Sequence, residues 1–181
     1  EPEDGITFLK SEYSVRKFKR VSNASVPDRP PAFEEVANKK EAFPVYYKNK
    51  DIVIQNNVVR KVSDGWDNGL ILLGEPKRTG KITWGFQVIR GSKNTIGVCL
   101  SSVDRNGYVN KTEKGWGYYA GGRIGTGGPA RKRFGESFKT ADNIIVMQMD
   151  CDTGTLRYKL NGIDQGVAFS DLPRGAEYVA A

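Results

Sequence analysis

The chain has 181 residues, with 28 Lys and Arg against 21 Asp and Glu, a net charge of +7, no histidine and two cysteines. That length can bury a full core as one sandwich or barrel with a segment left over. The missing histidine removes the commonest general base near neutral pH and the commonest metal ligand.

The first fifty residues carry 10 basic and 8 acidic side chains and the remainder 18 and 13, so the excess is spread and there is no dedicated polyanion-binding tail. Glycine, at 21 residues, punctuates short hydrophobic runs, and no long stretch has helical period, which predicts an all-β domain. No run of 18 apolar residues is present to span a membrane as a helix. Cys99 and Cys151 read as free buried thiols in a reducing, intracellular setting, cytoplasmic or nuclear. Glu1 where an initiating Met would stand reads as a fragment or processed form.

Residues 1–43 are predicted to be an N-terminal extended arm, with Pro2, Pro27, Pro30 and Pro31 in a segment of scattered charge and a short helix from Ala32 to Lys40. Its Arg16-Lys17-Phe18-Lys19-Arg20 cluster is either a solvated linker or a nuclear-localisation or phosphate-contacting element. Phe8, Tyr13, Phe18 and Phe33 imply that the arm packs on the domain or on a neighbouring part of a longer protein.

From Pro44 the texture is that of strands, so the domain is placed at 44–181. Strands are predicted at Val45–Tyr47, Ile52–Gln55, Val58–Val62 and Leu70–Leu73, with turns at Asn56-Asn57 and Asp64-Gly65. In the next strand, Lys81–Ile89, period two puts Ile82, Trp84, Phe86 and Val88 on one face, a wall of the core. Gly97 inside Thr95–Leu100 marks a close approach of another backbone or a large ring. Residues 101–115 are a long polar loop, and such loops in compact domains are often functional. The run Asn143–Met149 has little polar interruption and reads as a central strand buried on both faces. It opens a meander whose last hairpin turns at Asn161-Gly162, the strongest short-range hairpin signal.

A set of short motifs then appears in one register: Gly80-Lys81, Trp84, Val88, Ile96-Gly97-Val98, Gly115-Trp116-Gly117-Tyr118-Tyr119, Phe134-Gly135-Glu136-Ser137-Phe138, Asp142-Asn143-Ile144-Ile145, Gly154-Thr155-Leu156, Lys159-Leu160-Asn161-Gly162, Gly166-Val167-Ala168-Phe169 and Asp171-Leu172-Pro173. In order and spacing residues 79–181 resemble the SPRY domain. The resemblance implies a bent antiparallel β-sandwich of concanavalin-type jelly-roll form that acts as a monomeric, non-catalytic protein-interaction module within a larger adaptor or scaffold. Partners would be held by loops at one end of the sandwich, with no cofactor and no metal. Residues 44–78 lack the Leu-Asp-Pro motif of the tripartite-motif ligases, and Ala141 and Asn143 stand where Gly and an aliphatic are usual. The chain stops at Ala181 before the family's last strands, which implies an incomplete sheet edge.

The partner-binding candidates are Arg60, Trp66, Arg105, Tyr108, Asn110, Arg131, Lys132 and Arg133. Gly107-Tyr108 resembles the Gly-Tyr of the SPRY and SOCS-box adaptors, whose Tyr contacts an Asn-rich peptide, and Arg60 is a loose counterpart of another contact there. A Tyr flanked by Arg105, Asn106 and Asn110 is also suited by its own chemistry to grip a partner. Trp66, in a turn-rich loop, is either an exposed anchor or a ring folded back on the sandwich. Trp116 reads as core, and alternation puts Tyr118 on its side and Tyr119 on the other, one set packed and the other half-exposed. Gly125-x-Gly127-x-x-Ala130 echoes a dinucleotide fingerprint but lacks the helix that must open after it. That leaves a mobile loop ending in Arg131-Lys132-Arg133, which would meet an acidic protein patch, nucleic acid or only solvent. Asp142, Asp150 and Asp152 read as turn residues.

Overall fold

The computed structural model describes residues 11–16, 18–20, 33–35, 44–55, 58–63, 69–91, 93–106, 108–109 and 113–181, with side chains from Pro44 onward except that of Arg90. The expected turns at Asn56-Asn57 and Asp64-Gly65 lie outside these residues, as do Trp66 and Asn110.

The described residues form strands without helices: β1 (Ser11–Arg16), β2 (Phe18–Arg20), β3 (Phe33–Glu35), β4 (Val45–Lys48), β5 (Ile52–Gln55), β6 (Val58–Lys61), β7 (Ile71–Lys77), β8 (Lys81–Arg90), β9 (Thr95–Leu100), β10 (Gly115–Tyr119), β11 (Arg123–Thr126), β12 (Lys132–Arg133), β13 (Ile144–Asp150), β14 (Thr155–Leu160), β15 (Ile163–Phe169) and β16 (Tyr178–Ala180). One seven-stranded sheet, here sheet A, runs β15-β14-β13-β8-β1-β6-β5. The small sheet B is β2 paired with β3 alone, and the other large one, sheet C, runs β12-β11-β10-β9-β16-β7-β4. All pairings between strands are antiparallel.

The main core lies between the two large sheets. Trp84, Phe86 and Val88 of β8, with Ile145, Met147 and Met149 of β13, meet Ile96 and Val98 of β9, Trp116 and Tyr118 of β10 and Tyr178 of β16. The period-two wall expected of β8 is therefore present, with Ile82 half-buried at its margin.

Part of the expected arm is instead built into sheet A. Ser11–Arg16 pairs with β8 on one side and β6 on the other, and without it two strands of the sheet would each expose a row of unpaired amides. Phe33–Glu35 is a strand paired with β2, not part of a helix over Ala32–Lys40. The β-branched and aromatic content of Ser11–Arg16 is slight, so propensity gave no warning and its neighbours decide its state.

β13 is central in its sheet but not doubly buried: Ile145, Met147 and Met149 point into the core, Ile144 and Val146 are half-buried, and Gln148 is exposed. The outer face of an antiparallel sheet can stay wet. Strands covered on both faces are β10, all five of whose residues are buried, and β16, all three of whose residues are. Gly97 lies opposite Gly117, and a Cβ on Gly97 would run into the Trp116 carbonyl oxygen and come within 2.8 Å of the Gly117 Cα. That is the close approach its position in β9 implied. β16 closes sheet C internally, between β9 and β7.

At the β14–β15 hairpin, Leu160 pairs with Ile163 across Asn161 and Gly162, whose φ values are 51° and 82°. Both central residues at positive φ is what a two-residue type I′ turn requires. Asn161 Oδ1 also accepts from the Ile144 amide at 2.8 Å, and its Nδ2 donates to Asn143 Oδ1 at 2.8 Å. Asn143 thus joins a polar clasp that continues to Thr140. A Cβ at Gly162 would meet nothing within 4 Å, so Gly162→Ala carries only the backbone cost. We expect a loss of about 1–2 kcal/mol in urea unfolding, and an unchanged midpoint would exclude the type I′ turn.

Candidate partner-docking surface

The connection from β9 to β10 is strapped onto the outer face of sheet C. Val103 and Val109 drop into a second apolar cluster with Leu70, Leu72, Cys99 and Val179, and Tyr47 and Ala181 pack at its rim. The buried Asn49 fixes the strap by donating from Nδ2 to the Arg105 carbonyl at 3.1 Å, while its own amide donates to the Leu70 carbonyl at 3.0 Å. Near the β9 end, Ser101 Oγ donates to Glu177 Oε2 at 2.9 Å and the Val103 amide to the Leu100 carbonyl at 2.9 Å. Two aliphatics in an otherwise polar segment give it its two sides, Val103 and Val109 inward, Asp104, Arg105 and Asn106 exposed.

The outward side is cationic and aromatic. The Arg105 guanidinium lies 4.9 Å from the Tyr47 ring centroid and 5.9 Å from that of Tyr46, a ring that is 42% exposed. Tyr108, in the same loop, is half-buried. Flat amphipathic rings next to a stacked guanidinium are the commonest composition of interface anchors. Beneath them, burial pushes the Cys99 thiol up to about 12. We therefore expect Cys99 to resist iodoacetamide near pH 8 in the folded protein and to react on unfolding, and fast labelling of native protein would contradict this packing.

The other candidates fall elsewhere. Arg60 is half-buried on β6 and pairs by register with Glu12 and Val53. Its neighbour Val59 faces the core, so Arg60 lies on the outside of sheet A, away from Arg105 and Tyr108. Arg131, Lys132 and Arg133 do not end a mobile loop, because Lys132 and Arg133 form the edge strand β12, opposite Ile124 and Arg123. Alternation directs Lys132 and Arg133 to opposite faces, so the three charges do not make one patch. Arg131 packs its guanidinium 3.9 Å from the Tyr119 ring centroid. This cover explains why Tyr119, expected to be half-exposed, is only 4% exposed. Tyr119 and Tyr47 are four strand spacings apart in sheet C, about 19 Å.

Sequence reasoning missed Tyr46, Tyr47 and Asn49 as parts of this surface. Their signal was a strand, Val45–Lys48, with two adjacent aromatics, one of which must face outward.

Asp150 and Asp152 serve the fold. Asp150 Oδ1 accepts from the amides of Asp152 and Thr153, both at 3.1 Å, and Lys81 lies 3.5 Å from its other oxygen. Asp152 accepts from the Gly80 amide at 3.0 Å. These are turn contacts, as their positions implied.

Two antiparallel sheets around one core, with the described part of the β9–β10 connection holding aromatic and cationic side chains at the surface, define a β-sandwich. A family model for the SPRY domain matches residues 81–181, and the chain belongs to that family, whose members are generally protein-interaction modules and not enzymes. Among solved structures, the SPRY domain of human HERC1 is similar at a TM-score of 0.60 and 21% identity, covering 74% of this chain and 84% of that one. A further human SPRY domain is similar at a TM-score of 0.55 and 14% identity, covering 75% of this chain and 91% of that one. At these identities the likeness establishes the fold. No curated protein matches the chain by sequence.

Proposed function

We propose that the protein is a non-catalytic docking module that holds a protein or peptide partner on the surface formed by Arg105, Tyr108, Tyr46 and Tyr47, as part of a larger adaptor or scaffold inside the cell. The observation that carries this reading is the strap itself. Val103, Val109 and the Asn49 bond hold the described residues 101–106 and 108–109 against sheet C before a partner arrives, which lowers the conformational entropy these residues lose on binding. The partner's contact would be polar or acidic, met by Arg105, with the tyrosine rings supplying area.

A peptide-library selection at about physiological salt tests it. The wild-type chain should enrich a shared motif, and Tyr108→Ala should weaken the enriched peptide by about 2 kcal/mol, roughly thirtyfold. No enrichment, or a motif indifferent to Tyr108→Ala, would remove the proposal.

A further inference from the structure

A second feature of sheet C lies at the end of β9 and β10 remote from the strap. Lys93 from the turn before β9, Arg123 of β11, Arg131 from the loop before β12 and Lys139 from the segment leading to β13 converge with Asn94 and Tyr119 on a pocket of about 290 Å³. No carboxylate lines it, and none of the four cations has an ion-pair partner among the described residues. A Cβ on Gly125 would come within 2.9 Å of the Ala130 carbonyl oxygen, so glycine there lets the loop that carries Arg131 lie close against β11. Stacking on Tyr119 holds the Arg131 fork in one orientation, which reduces the ordering cost of each bond it makes.

Asn94 lines the pocket from a buried position: it is 3% exposed, its Nδ2 donates to the Gly91 carbonyl at 2.7 Å and its carbonyl accepts from the Ala120 amide at 2.8 Å.

We propose that this pocket takes an acidic segment of a protein, its Asp or Glu carboxylates held by Arg123, Arg131, Lys93 and Lys139. A phosphodiester chain would satisfy the cations as well, and membership of a family of protein-interaction modules is what favours a peptide. The proposal rests on the protein-interaction reading and adds to it a second contact, at the opposite end of the strands from Tyr108.

The test titrates the isotope-labelled 181-residue chain at about 0.15 M salt with acetylated hexaglutamate amide, its hexaglutamine counterpart and a decameric oligothymidylate. Hexaglutamate should shift the Asn94 side-chain amide and the Gly121 and Arg123 backbone signals, and hexaglutamine should not. Arg131→Gln combined with Lys139→Gln, both exposed positions, should weaken binding about tenfold or more and leave the other signals in place, while Tyr108→Ala should leave it unchanged. Tighter binding of the oligothymidylate through the same signals would overturn the proposal in favour of a polyanion site. Shifts that bypass Asn94, or affinity that survives the double variant, would also overturn it. A loss with Tyr108→Ala would merge this contact with the strap and refute a separate site. The strap proposal is judged by its own selection, so either can fail alone.

Discussion

Between pH 10 and 12 the protein is expected to lose stability steeply, because three tyrosines must stay neutral to remain inside it. Tyr118, Tyr158 and Tyr178 are fully buried in the main core. The Tyr118 hydroxyl donates to the Glu136 carbonyl, that of Tyr158 to the Ile96 carbonyl at 3.0 Å and that of Tyr178 to the Pro173 carbonyl at 2.6 Å. Burial, with the Glu136 charge second, pushes the Tyr118 phenol up to about 12; burial, with Cys151 second, does the same for Tyr178, and Tyr158 is displaced further still. In the unfolded chain the same groups ionise near 10. Above that pH the unfolded state releases protons the folded state keeps, so the stability these phenols contribute is fully present below pH 10 and is lost as pH rises through the folded values. Each group contributes a slope of at most about 1.4 kcal/mol per pH unit. Urea midpoints measured across this window should fall cooperatively, and Tyr158→Phe should flatten the fall at the cost of about 1 kcal/mol at neutral pH. A midpoint constant to pH 11 would mean that these rings are not sealed from water.

Trp84→Ala is expected to cost about 3–5 kcal/mol, a large part of the stability of a domain this size. Trp84 sits in the middle of β8, opposite Met147 of β13, and reaches from sheet A into the core between the sheets. Removing the indole leaves a cavity that strands held on both sides cannot close by moving. Trp84→Phe keeps a ring there and should lose less than half as much. The difference between the two in urea unfolding, with the slope unchanged, is the readout. Similar, small losses for both would show that the two sheets do not pack through this residue.

The local features were legible because they are short-range. Asn161-Gly162 names its own turn, Gly97 announced the approach of the next strand, and β8 showed its inward face by period two. What the sequence hid depends on partners distant along the chain. Ser11–Arg16 carries only the brief alternation of Tyr13 and Val15, too short to stand out in a charged segment, and the open flanks of β6 and β8 make it a strand. Tyr119 alternates outward as expected, yet Arg131, arriving from another hairpin, covers it. Arg131, Lys132 and Arg133 read as one cluster in sequence, and strand geometry pulls them apart. The pocket cations come from four segments between Lys93 and Lys139, brought together only by sheet order. Val103 and Val109 were visible as the only aliphatics of a polar loop, but that they anchor it to the back of a sheet was not.

The central claim is that partners are met on the strap and on β4, and the most direct measurement is the backbone-amide footprint of the selected peptide on the isotope-labelled chain. The account predicts shifts at Val45–Asn49 and at 101–109, with the outside of sheet A unmoved. A footprint on the exposed β14–β15 edge, or on Arg60 and its neighbours without the strap, would contradict it.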